Sequence, residues 1–364
     1  MMSVLFEHAG IQLIRYDQLT ERFRQQIAQT ILGREGQLRY QHTYGTAKAA
    51  ELKDTVYLEL QWRQRLIGVI ALSLQKVQIG NEPCKVIYVR YFSISGLMTN
   101  RQGQQNDSKK DKKSIIKEAI ISIFNQPQKM FPDEQNIAGF YAYVEEKNLP
   151  SRRNVEMTGF EKVGQFSTWL YSRVNPTAKL KLSKADPSDL PSIYEQLSNY
   201  YHDYDLTPQW KELLVNPRRS YFVYEVNGES VFGACVTLNQ WKIHEIPGWT
   251  GKLNQLLLSR LPFLKKIFFR DVLDFIDLEM IYITPGYEQR FADFIESLLY
   301  AYRLNHAMLW SDTTSGLHRQ IRKGGRWGLL QKLSPATAAG VYFKSLRPET
   351  SLKSTCYISA DGIS

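Results

Sequence analysis

The sequence predicts a mixed α/β (α+β) chain in two tandem halves, each a largely antiparallel sheet with helices on both faces. Three observations carry this. The chain has 364 residues, too long for one ordinary domain and enough for two. Its 43% hydrophobic and 23% charged residues are a globular composition. The order strand, helix, hairpin, strand, helix, strand, helix, strand is read twice along it. The restart falls around "NPTAKLKL", so the chain is divided near Pro176 into 1–176 and 177–364.

In the first half, "GIQLIRY" is a strand, and Leu19, Phe23, Ile27 and Ile31 mark the first helix. "TVYLELQWRQRLIGVIALSLQKVQI" is two β-rich runs joined by a polar tip, hence a hairpin. "KVIYVRYFSISGL" is a buried strand, and the polar "TNRQGQQNDSKKDKK" a loop. Ile115, Ile116, Ala119, Ile120 and Ile123 give the next helix one apolar face. "NIAGFYAYVEE" is a strand. A short helix follows, capped by Asn148 and closed by Gly159-Phe160, and "QFSTWLYSRV" is the last strand.

The second half repeats the plan. Asp186 and Pro187 start a helix. Asn227-Gly228 turns a hairpin. "DFIDLEMIYIT" is a strand, and Phe291, Phe294, Ile295 and Leu298 face inward on the next helix. "HAMLWSD" is a strand, "TSGLHRQIRKGG" a helix ended by glycines, and "GVYFKSL" the closing strand. One insertion, at about 241–275, interrupts the symmetry. Its leucines and basic residues read as an amphipathic helical pair kinked at Pro262. Packing at the interface of the halves, a lid, or a membrane surface are the roles open to it.

Composition narrows the partners. A net charge of +10 suits anionic ligands, or solubility alone. Cys84, Cys235 and Cys356 are far apart, which disfavours a disulfide framework or a zinc site, and the six histidines show no ligand spacing. The start "MMSVLFEHAGIQL" lacks signal-peptide character, and no apolar run nears the ~18 residues of a membrane span. A cytoplasmic protein is expected.

This order resembles the GNAT superfamily of acyl-CoA-dependent N-acyltransferases, present twice in tandem. The segment "EEKNLPSRRNVEMTGFEKVGQF" carries the likeness best. The family pattern of an asparagine ending the fifth strand, a small residue three on and a closing Gly-Phe is met by Asn148, Ser151 and Gly159-Phe160. Val155 stands where the family has a tyrosine that protonates the departing thiolate, and valine has no proton to give. Tyr141 or Tyr143 on the preceding strand would be substitutes. Val155 itself is expected to face the cleft between the strands.

The resemblance implies an acyl-CoA, acetyl-CoA or longer, as co-substrate and a small-molecule or peptide amine as acceptor. It places the cofactor arm at the end of the fourth strand, Phe92, Ser93 and Ile94, and at Asn148. Its phosphates would lie on the "SKKDKKSII" loop, where Lys109, Lys112, Lys113 and Ser114 replace a glycine-rich turn. In the second half, Asp277 and Glu279 lie on the strand where the family often has a general base, and Glu279 is the choice for it. Two other functions stay open: an aminoacyl-tRNA-dependent Fem-like transferase, although no coiled-coil heptad run appears, and a non-catalytic CoA- or ligand-binding protein on the same fold.

Overall fold

The computed structural model describes residues 2–33, 38–80, 82–94, 107–214, 216–245, 271–328, 331, 338–352 and 355–363. The first half builds β1 (Met2–His8), β2 (Ile11–Tyr16), α1 (Glu21–Gln29), β3 (Arg39–His42), α2 (Gly45–Glu51), β4 (Thr55–Trp62), β5 (Arg65–Ile79) and β6 (Glu82–Ile94). It continues with α3 (Asp107–Asn125), α4 (Pro127–Met130), β7 (Ile137–Glu145), α5 (Leu149–Met157) and β8 (Glu161–Ser172). The second half builds β9 (Ser183–Lys184), α6 (Leu190–Tyr200), β10 (Thr207–Pro208), α7 (Trp210–Leu214), β11 (Arg219–Val226) and β12 (Glu229–Glu245). β13 (Val272–Ile283), α8 (Phe291–Tyr302), β14 (His306–Asp312), α9 (Gly316–Lys323) and β15 (Ala338–Ser345) complete it.

All fifteen described strands belong to one sheet, whose path runs β1-β2-β4-β5-β6-β7-β15-β8-β14-β13-β12-β11-β9, with β10 beside β5 and β3 beside β12. The repeat is thus present with its closing strands exchanged. β15, from the end of the chain, lies antiparallel between β7 and β8. β8, from the first half, pairs antiparallel with β14 of the second, from His306↔Ser172 to Asp312↔Phe166. Each half therefore borrows its sixth strand from the other. A sequence pattern reports which faces a strand buries and not which neighbour it takes, so the exchange has no signature in the repeat. Gly139 is required by it: a Cβ there would stand 2.5 Å from the Lys344 carbonyl oxygen on β15.

Helices cover both faces. α3 and α5 pack over the first half through Ile116, Ile120, Phe124 and Val155, with Phe160 just after α5, on a sheet face made by Leu58, Leu60, Ile87 and Phe140. Phe23 and Ile27 of α1 and Ala49 of α2 pack on the opposite face against Tyr57 and Val69. The alternation Tyr57/Leu58/Glu59/Leu60 along β4 sets the two faces. In the second half, Phe291, Phe294, Ile295 and Leu298 of α8 and Leu317 and Ile321 of α9 cover one face, as their spacing predicts.

Three expectations are corrected. The "KKDKK" stretch is helix, because α3 begins at Asp107 and lysines are good helix formers. Ser114 is therefore well inside α3, where its N–H has an intrahelical acceptor and is not one of the helix's free donors. The edges of the 241–275 insertion are strand, since β12 extends to Glu245 and β13 starts at Val272; the helical reading of 246–270 lies outside the described residues. The stretch "MSVLFEH", given no element from the sequence, is a strand that turns back on β2 through Ala9 and Gly10, both at positive φ. Val155 does not face a cleft; it is 4% exposed within the apolar core under α5. Enlarging it there overpacks the core. Val155→Tyr is expected to cost roughly 1–3 kcal/mol, read by urea denaturation, and an unchanged midpoint would mean the core has room to spare.

Candidate functional site

The two parallel strand pairs are short, and beyond them the sheet splays. β6 and β7 pair only from Lys85↔Ile137 to Tyr88↔Tyr141. β13 and β14 pair only from Ile276↔Ala307 to Leu278↔Leu309. At each split the inner strand carries the same irregularity. Tyr91 has φ 50° and Met280 φ 51°, left-handed values uncommon for side-chain-bearing residues and strained inside a strand. Each sits in a bulge: the register of β5 with β6 slips between Val69 and Ala71, and that of β12 with β13 slips between Gly233 and Cys235. The bulge turns the strand away from its parallel neighbour and exposes an edge of backbone donors and acceptors.

The two openings are filled differently. In the second, residues 355–363 thread into the gap. Tyr357 packs against Tyr201 and Trp210 at 5.3 and 5.2 Å between ring centres, and its hydroxyl accepts the Met280 N–H at 3.3 Å. Asp312, at the end of β14, accepts the Cys356 N–H at 3.1 Å. The remaining cavity there is about 10 Å³, no more than one water's worth. In the first opening, Tyr91, Phe92, Ser93 and Ile94 stay half-buried; Ser93 and Ile94 pair with β5 on one side, and among the described residues no strand pairs with them on the β7 side.

Between the openings lies a seam of charge. Arg219 of β11 places its guanidinium 2.9 Å from Glu279 and against the Asp361 carboxylate. Arg90, just before the first bulge, donates to the Asp361 carbonyl. Glu279 also accepts the Ala360 N–H at 3.2 Å. Asn239 donates to Asp277 at 2.7 Å. Both side chains of the Arg219–Glu279 pair are 2% exposed, whereas that of Asp361 is 41% exposed. The Arg219 Nη1 makes a charge contact without an aligned hydrogen bond, so charge attraction holds this pair.

Burial raises the Glu279 carboxyl to about 7, with Arg219 opposing and Asp361 and Asp277 adding to the rise. Burial works against the charge of Arg219 too, yet its two carboxylates hold its pKa above the usual value. Asp361 is lowered: its own desolvation is outweighed by Arg219, Arg90 and Lys48. Burial, then Lys48 and Arg90, push His42 down to about 3, so the imidazole is neutral. Lys48 is lowered by burial, against the pull of Asp277 and Asp361.

The residues singled out from the sequence divide as follows. Phe92, Ser93 and Ile94 line the first opening. Tyr141 is buried, stacked on Tyr88 at 4.5 Å, and donates to Gln75 at 2.5 Å. Tyr143 meets the threaded segment, donating to the Tyr357 carbonyl and accepting the Ser359 N–H, both at 3.4 Å. Burial holds both phenols well above their usual pKa. Both are thus committed to packing, and neither offers a readily transferred proton. Glu279 has one oxygen on Arg219 and the other on Ala360, which ties it to bracing the seam. Asn148 caps α5, accepting the Ser151 N–H at 3.3 Å. Lys109, Lys112 and Lys113 lie on the first two turns of α3, and Ser114 is exposed. Arg90, Arg219, Lys48 and Asp361 were missed. An arginine inside the apolar run "VIYVRYFSI" was the one signal available for any of them.

No protein-family model matches the chain, and no curated protein matches its sequence. Solved structures do. Saccharomyces cerevisiae N-myristoyltransferase with bound myristoyl-CoA aligns over 98% of this chain and 91% of its own, at TM-score 0.57 and 9% identity. A second structure of that enzyme with myristoyl-CoA gives TM-score 0.59 over 98% and 86%, again at 9% identity. A third, with myristoyl-CoA and inhibitors, gives 0.54 at 10% identity. At this identity the likeness shows the fold alone: the chain shares the twice-repeated architecture of that enzyme.

Proposed function

We propose that this chain is an acyl-CoA-dependent N-acyltransferase that binds its acyl-CoA in the first opening. The observation that carries the reading is the inequality of the two openings. Both have the bulge and the splay, but the second is filled by the chain's own residues 355–363, whereas among the described residues no strand covers the first at Phe92–Ile94. The yeast enzyme of like fold holds an acyl-CoA, which favours a thioester as ligand.

The chemistry follows from the placement. Backbone amides beyond the Tyr91 bulge would hold the thioester carbonyl and stabilise the oxyanion that forms on attack. The N-terminal end of α3, with Lys109, Lys112 and Lys113 on it, would take the phosphates. Asn148, the cap of α5, would contact the cofactor arm. The acceptor, a small-molecule or peptide amine, would approach over the seam, where Asp361 is the accessible carboxylate. Glu279, Tyr141 and Tyr143 support that seam rather than the reacting atoms. No described helix is long and apolar enough to cross a membrane.

Ligand binding gives the test. Acetyl-CoA or myristoyl-CoA at ~100 times Kd should stabilise the chain by about 2.7 kcal/mol in a thermal-shift titration. Stabilisation by an acyl-CoA but no thiol release with any of a panel of primary amines would favour the non-catalytic reading. No stabilisation by either acyl-CoA would remove the proposal.

A further inference from the structure

Glu59 is a carboxylate set inside the sheet, on the face of β4 that α1 and α2 cover. It is 1% exposed. Its oxygens accept from neutral groups: one from the Thr20 hydroxyl, the other from the Gln61 amide at 2.9 Å. The nearby Arg22 is exposed and donates instead to the Gln64 carbonyl at 3.5 Å. Among the described residues Glu59 has no ion pair. A carboxylate offers about four lone-pair sites, so acceptor capacity is left over. A buried charge met only by neutral donors is costly, and a cation carrying N–H groups is what completes it.

Glu59 and Gln61 line a cavity of about 400 Å³ between β2, β4 and the start of α1. That is within the size of small-molecule sites, roughly 300–1,000 Å³. Ile14 and Tyr16 of β2 give it an apolar wall with an aromatic ring. Burial, then the charge of Glu59, raise the Tyr16 phenol, with Arg22 and the Gln61 hydrogen bond opposing, so Tyr16 shares the surroundings of the carboxylate. At the mouth the exposed Glu21 and Arg22 carry opposite charges, which leaves Glu59 to set the sign of the lining. One buried carboxylate in so wide a space suits an organic cation better than a metal ion, which needs several oxygens close around it.

The cavity is separate from the first opening. Glu59 pairs with Val69, and Val69 with Ser93, so the three stand in one row across β4, β5 and β6. Val69, between the other two, is 1% exposed in a cluster with Phe23, Tyr57 and Tyr91.

We propose that this cavity binds a small organic cation, a primary ammonium or guanidinium compound. Its N–H groups donate to Glu59, and its carbon chain lies along Ile14 and Tyr16, where a cation near the ring face gains further attraction. The site stands whether or not the first opening takes an acyl-CoA.

The probes are n-butylammonium and methylguanidinium, with 1-butanol as the uncharged control of like shape. Binding is followed at the Ile14 methyl resonance of ¹³C-methyl-labelled protein, identified by its absence from Ile14→Val. Either cation should shift that resonance saturably in wild type, and 1-butanol should not. Glu59→Gln keeps the shape and removes the charge, and should weaken cation binding by about 10–100-fold, the scale of a hydrogen bond to a charged group. Without ligand it should resist urea at least as well as wild type, because the uncompensated charge is gone. An equal shift by 1-butanol, or cation binding unchanged in Glu59→Gln, would overturn the proposal. So would no shift with either cation, which would leave Glu59 as a brace for the Thr20 cap. If Glu59→Gln does not fold, the comparison of n-butylammonium with 1-butanol on wild type decides alone. None of these measurements uses an acyl-CoA, so failure here leaves the reading of the first opening untouched.

Discussion

Arg219→Met is expected to destabilise the chain by about 3–5 kcal/mol, the scale on which a buried ion pair loses one partner. Among the described residues, Arg219 is the cation that touches both the Glu279 and the Asp361 carboxylates. Methionine fills the volume and abandons both. Glu279 is then a carboxylate beside Asp277 and Asp361 in a site 2% exposed, where its remaining hydrogen bond comes from the Ala360 N–H. The threaded segment also loses its ionic anchor at Asp361. Urea denaturation checks the loss. A drop below about 1 kcal/mol, the scale of surface pairs, would show that water reaches the pair and that the seam is not a closed brace. Arg219→Met/Glu279→Gln should recover part of the loss, because the stranded charge goes with its partner.

The same carboxylate makes stability depend on pH in a definite direction. The Glu279 pKa rises from 4.5 to about 7 on folding. Between those values the folded chain holds a proton that the unfolded chain has released. Its contribution is therefore fully present below about 4.5 and is lost as pH rises through about 7. Asp361 is shifted the other way, and its contribution is lost only as pH falls below the ordinary aspartate range. The two windows do not overlap. Across the upper one, wild type should lose on the order of 3 kcal/mol relative to Glu279→Gln, at about 1.4 kcal/mol per pH unit. Parallel stability curves for the two proteins between pH 4.5 and 7 would mean that Glu279 stays ionised on folding.

What could be read in advance was local. The Asn227-Gly228 turn, the α5 cap at Asn148 and the left-handed Gly159 are set by residues within a few positions, and each appears in the structure. Longer-range features were not legible. The exchange of β8 and β15 leaves every face pattern intact, so nothing in "QFSTWLYSRV" or "GVYFKSL" distinguishes own from borrowed neighbours. The bulges at Tyr91 and Met280 carry no glycine or proline, so turn chemistry did not mark them. The charged seam unites β6, β11, β13 and residues 360–361, and spacing along the chain says nothing of such a meeting. The lysine stretch failed differently: polar and repulsive, it reads as loop, but the helix extends through it.

Tyr357→Ala is expected to cost about 3–5 kcal/mol, as large-to-small changes of buried aromatics do. Tyr357 is 4% exposed and stands among Ile193, Leu197, Tyr201, Trp210, Tyr221 and Met280. Truncation empties the second opening, and the strained Met280 bulge then loses the hydroxyl that takes its N–H. Tyr357→Phe separates these effects. It keeps the ring and the packing and leaves only the Met280 N–H without its acceptor, a loss of roughly 1–3 kcal/mol for a buried donor. If the tyrosine is a wedge that fixes the bulge, the phenylalanine variant will show a measurable share of the alanine loss and faster exchange of the Met280 amide. If it is only filler, phenylalanine will be neutral and that amide will exchange as in wild type. Either way, acyl-CoA stabilisation should persist in Tyr357→Phe, because the first opening lies across the seam with its own bulge intact. Loss of cofactor binding in a folded Tyr357→Phe would place the ligand in the second opening and reverse the assignment of the two halves.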